Sequence, residues 1–203
     1  MKIMEMMNMK KKILMVFAVL VVYLACMFTS PCIAKPIQLV DYDAQTFFEN
    51  YKLACKENPR FFNAALATGE LTYQGETGLY KRYLFHVGKN ATVSVYENKS
   101  RYVSTVEIES KHNSEEEKNS YASSTICVEH VLSLDRAERT CLGDTKDEKV
   151  NFSDTMHVIE GYGKAYSNIN KRWIHLTLKL VSVKAGNDWK KTMLSYFSAD
   201  DEE

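Results

Sequence analysis

The stretch Trp173-Ile174-His175-Leu176-Thr177-Leu178-Lys179-Leu180 alternates without a break. Ile174, Leu176, Leu178 and Leu180 fall on one side, and His175, Thr177 and Lys179 on the other. Successive side chains of a β-strand point to opposite faces, so this pattern predicts a strand with one apolar face and one wet face. An apolar face of that kind has to be covered by a second layer.

The neighbouring sequence supplies partners for this strand. Residues from Met156 to Tyr166 read as a strand loosened by Gly161 and Gly163, and Ser167 to Arg172 as the hairpin turn. From about 69 to 109 the period is again two. Tyr83, Phe85 and Val87 share one face against Arg82 and His86. Val93 and Val95 alternate with Thr92, Ser94 and Tyr96, and Tyr102, Val106 and Ile108 line the next run. Gly88-Lys89-Asn90 and Asn98-Lys99-Ser100 read as turns. Short alternating runs joined by tight turns predict an antiparallel meander.

Two segments carry a helical period. In residues 42–58, Phe47, Phe48, Tyr51 and Cys55 form one stripe, and Asn58-Pro59 ends it. Asp41 and Asp43 precede it, where a carboxylate favours the helix start. Ser114 and Glu117 match a capping box, and Tyr121, Thr125, Val128, Val131 and Leu132 make a stripe behind it. The end of this second helix is open, since Ile126 to Leu134 also fits a strand. Residues 144–154 are polar and read as a loop. Trp189, Met193, Tyr196 and Phe197 stand at helical spacing after Asn187-Asp188 and predict a short terminal helix, with an extra strand as the competing reading.

The resulting fold class is α+β. A two-layer sandwich is expected, with an antiparallel sheet (meander plus C-terminal hairpin) covered on one face by two main helices. Residues 35–197 form the single domain and 198–203 an acidic tail; no internal repeat is visible.

The first 34 residues read as a signal peptide. Lys10, Lys11 and Lys12 precede an apolar run from Ile13 to Phe28, and Pro31 and Ala34 close it. Cleavage is expected after Ala34, and Met9 is an alternative start. The address is therefore exported: periplasmic, cell-surface or secreted. A retained N-terminal membrane anchor and a lipid anchor at Cys26 are the competing readings, although the run is short for a span of about twenty residues.

The chain has 26 basic and 26 acidic residues. The leader removes four lysines and Glu5, which leaves 22 against 25. A balance that even gives no electrostatic case for nucleic acid or an anionic membrane surface. Outside the leader stand Cys55, Cys127 and Cys141, an odd number that allows one intramolecular disulfide. Cys127 to Cys141 closes the shortest loop and is the favoured pair; three buried thiols are the alternative.

Catalytic spacings are missing from the sequence. His86, His112, His130, His157 and His175 include no pair at metal-ligating spacing, and no cofactor is expected. Cys127 and His130 lie one helical turn apart, too local for the usual activated thiol. Glu107 and Glu109 share one side of a strand read as edge-like. Tyr80, Tyr96, Tyr166 and Trp173 fall on faces that also carry polar residues, and such a face suits a protein or glycan partner. The expected function is a non-catalytic exported domain that binds at the bacterial cell envelope, with Trp173, His175 and Tyr166 as its surface. A small secreted hydrolase and an envelope inhibitor or immunity protein are the alternatives.

Overall fold

The computed structural model describes residues 38–135, 149–152 and 154–199. The leader, Cys26, Cys141 and residues 200–203 of the tail lie outside these residues.

The first helix, α1 (Ala44–Glu57), starts where Asp43 accepts a hydrogen bond from the Thr46 amide at 2.9 Å. Arg101 donates to the same aspartate at 2.8 Å, and the buried Glu97 accepts from the Ala44 amide at 3.2 Å. The helix start is thus tied to the sheet by charge-assisted bonds at its positive end. Asn58 ends it, and Pro59 opens the single turn α2 (Pro59–Phe62), which runs into a 3-10 turn at Asn63–Ala65.

The meander follows as β1 (Ala67–Thr77), β2 (Tyr80–Val87), β3 (Ala91–Glu97) and β4 (Val103–Lys111). Then α3 (Glu115–Val131) begins with the complete capping box of Ser114 and Glu117 and continues through the segment that also fitted a strand. The remaining strands are β5 (Leu134–Asp135), β6 (Lys149–Phe152), β7 (Met156–Ser167), β8 (Arg172–Ala185) and β9 (Asp188–Ser198). Pairing runs in the order β1-β2-β3-β4-β9-β8-β7-β5, with β6 also on β7, and every pair is antiparallel. The α+β sandwich is therefore the fold, with a sheet wider than a meander plus one hairpin.

Three expectations are corrected. The terminal helix is a strand: β9 pairs β4 on one side and β8 on the other. Its side chains obey the period of two, with Met193, Ser195 and Phe197 opposite Leu180, Leu178 and Leu176. Gly186, at φ +67°, and Asn187 form the two-residue loop that joins it to β8. Residues 149–152, read as loop, pair with His157 to Glu160. Ser198 and Ala199 also belong to the fold rather than to a frayed tail, for Ala199 is buried and donates to the Ser104 carbonyl.

The two halves of the chain share one plan. A helix is followed by antiparallel strands, and the last strand of each half, β4 and β9, meets the other at the middle of the sheet. Both main helices lie on one face. Phe48 and Tyr51 of α1 pack on Phe85 of β2 with ring centroids 4.9 and 5.0 Å apart. Tyr121 of α3 hydrogen-bonds Ser195 of β9 on the same side. Phe47, Tyr51, Phe85, Val93, Ile108, Leu132, Ile174 and Phe197 are almost fully buried between the layers.

The β2–β3 turn shows how closely the helical layer sits. Gly88 has φ +52°, and a Cβ there would stand 2.6 Å from both the Ala64 carbonyl oxygen and Ser120 Oγ. Gly186 has a similar φ with open space around it. Gly88→Ala is expected to cost roughly 2–4 kcal/mol, strain and overlap together, and Gly186→Ala about 1–2 kcal/mol from strain alone. Urea unfolding of the two variants checks the difference, and equal losses would contradict the close approach of the helical layer.

Candidate functional site

The face opposite the helices carries the candidate site. On β2, β3 and β4 it presents Arg82, Tyr96 and Thr105 in one row and Leu84, Ser94 and Glu107 in the next. The rows continue through β9, β8 and β7, where Ser198, His175 and Lys164 follow Thr105, and Tyr196, Thr177 and Tyr162 follow Glu107. A third row runs from Glu109 through Leu194 and Lys179 to Glu160. Because the strands alternate, the residues between the core positions of each strand enter this surface.

Trp173, His175 and Tyr166 all lie here. Trp173 and Tyr166 are register partners with rings edge-to-face at 5.6 Å, and His175 follows on the same side of β8. Trp173 is 43% exposed, a large ring left open to solvent beside a second aromatic.

The middle of the face is held by its own hydrogen bonds. Tyr96 donates to Glu107 at 2.6 Å, and Arg82 donates to Ser94 at 3.0 Å with its guanidinium 5.9 Å from the Tyr96 ring centre. Across the sheet, Lys179 pairs with Glu160 at 2.8 Å, and Tyr162 donates to the same carboxylate at 3.2 Å. Tyr196 stands between Glu107 and Thr177. Its phenol is raised above the usual range by burial and by the Glu107 charge, and the Tyr96 phenol is raised by burial and by its bond to Glu107. Both tyrosines therefore stay neutral and act as hydrogen-bonding rings.

Glu107 lies in the middle of this face. Burial lifts it above its ordinary 4.5, against the lowering effects of the Tyr96 hydroxyl and Arg82. It belongs to a central strand and not to an edge, since β4 is flanked by β3 and β9.

Other pairings considered from the sequence come apart. Cys127 is buried and turned towards Cys55, whereas His130 is exposed and leans on Phe62. His157 and His175 occupy opposite faces, and His157 stacks on Trp189 at 4.1 Å. Among the described residues no three His, Cys, Asp or Glu side chains group to hold a metal ion. The Cys127–Cys141 bridge involves a residue outside the described ones, and Cys55 and Cys127 are unbonded in this structure. The sequence did not assemble Tyr196, Tyr162, Glu160 and Lys179 into one site; the signal was the Gly186-Asn187 turn, which places β9 beside β8, and Tyr196 then falls in the same row as Glu107.

No family model, curated protein or solved structure matches this chain.

The Glu107 shift has a consequence for stability. Its folded value lies above the unfolded one, so folding favours the neutral carboxyl. That contribution is complete below 4.5 and is lost as pH rises through the raised value. Glu107→Gln keeps an uncharged group in place. The difference in melting temperature, variant minus parent, is expected to rise with pH across that window, and a flat difference would contradict the assignment.

Proposed function

We propose that this protein is a non-catalytic exported domain that binds a protein or glycan partner at the bacterial cell envelope through the open face of its sheet. One observation carries the reading. The face opposite the helices is a band of tyrosines, with Trp173 at one end, whose polar neighbours are already fixed by bonds among themselves. Tyrosine and tryptophan present apolar area and a hydrogen bond together at low entropic cost. Side chains pinned in advance lose little freedom when a ligand arrives, which favours recognition.

The export part rests on the leader, from Lys10 to Ala34. The remaining chain is close to neutral. The same composition argues against nucleic acid as a partner.

Two substitutions on the face test the reading. Trp173→Ala and Tyr196→Ala are each expected to weaken capture of the partner from envelope extracts by about tenfold or more, as for a central aromatic anchor. Leu53→Ala, exposed on α1 in the helical layer, serves as the control. Capture unchanged in both face variants would remove this surface from consideration.

A further inference from the structure

We propose that Cys55 and Cys127 join in a disulfide that ties α1 to α3 in the mature protein. The two sulfurs lie 3.7 Å apart in the core, 2% and 0% exposed, on helices that come from opposite halves of the chain. Cys55 Sγ also lies 3.5 Å from the Ala65 carbonyl oxygen, and Cys127 Sγ 3.9 Å from that of Tyr51. A disulfide needs about 2.05 Å between sulfurs, so the pair has less than 2 Å to close, a movement within reach of side-chain rotation. This partner choice differs from the shortest-loop expectation, which joined Cys127 to Cys141.

The chemistry is thiol–disulfide exchange with a small-molecule or protein disulfide as the oxidant. One cysteine thiolate attacks the oxidant's disulfide, forming a mixed disulfide and releasing one oxidant thiolate. The second cysteine thiolate then attacks the mixed bond, the Cys55–Cys127 bond forms, and the other oxidant thiolate leaves. Two protons leave the cysteines, and two electrons pass to the oxidant, which becomes a dithiol. Either thiol can make the first attack, since both are accessible before the helices close. Because the native pair is sealed from solvent, the exchange belongs to folding, before the two helices close over it. Formation in the cell rests on the exported address proposed above; the geometry of the pair does not.

Full-length protein refolded in a glutathione redox buffer tests the pairing apart from the address. Unreduced peptide mapping should find the Cys55 peptide joined to the Cys127 peptide, both in the parent and in Cys141→Ser. Reduction should then lower the melting temperature by on the order of 10 °C, with no such drop in Cys55→Ser. Both thiols left free, or either one joined to Cys141 or to a leader cysteine, would overturn the proposal. If the pair forms in the buffer but protein taken from cells is reduced, the exported address fails and the pairing stands.

Discussion

Phe85 lies under Phe48 and Tyr51, and this contact decides the identity of both faces of the sheet. A strand has two sides, and a shift of one residue would exchange them. With Phe85 turned to the helices, Val87 and the paired Val93 and Ile108 follow it inward by register. Leu84, Ser94, Glu107 and Tyr196 are then turned outward by the same register. The core and the open face are one decision seen from two sides.

The open face differs from an ordinary wet face in how its polar groups are spent. Glu107, Glu160, Arg82 and Lys179 each have a partner within the face. A half-buried carboxylate without such partners would cost stability and bind water. Here the charges steady the tyrosines between them, and the rings remain for contact.

Local signals were legible in the sequence because their physics is local. Asp43 and Ser114 cap helices through bonds to amides three residues away, and the alternation of β7 and β8 needs no distant partner to be seen. The terminal strand was harder. Trp189, Met193, Tyr196 and Phe197 satisfy a helical stripe, and what overrides it is pairing with β4, far back in the chain. Misreading that strand also hid Tyr196, and with it the centre of the open face. Likewise, the approach of Cys55 to Cys127 comes from two helices crossing, which loop length cannot reveal.

β9 follows the other described strands in sequence and stands in the middle of the sheet. Until residues 188–198 are available, β4 and β8 each have a bare edge, and the two halves of the sheet have no common strand. Completion of the sheet therefore waits on residues 188–198, at the cost of the slow loop closure that distant pairings impose. The same layout makes residues 188–198 the least expendable part of the sheet, since their removal would leave two strand edges open to pairing with other chains.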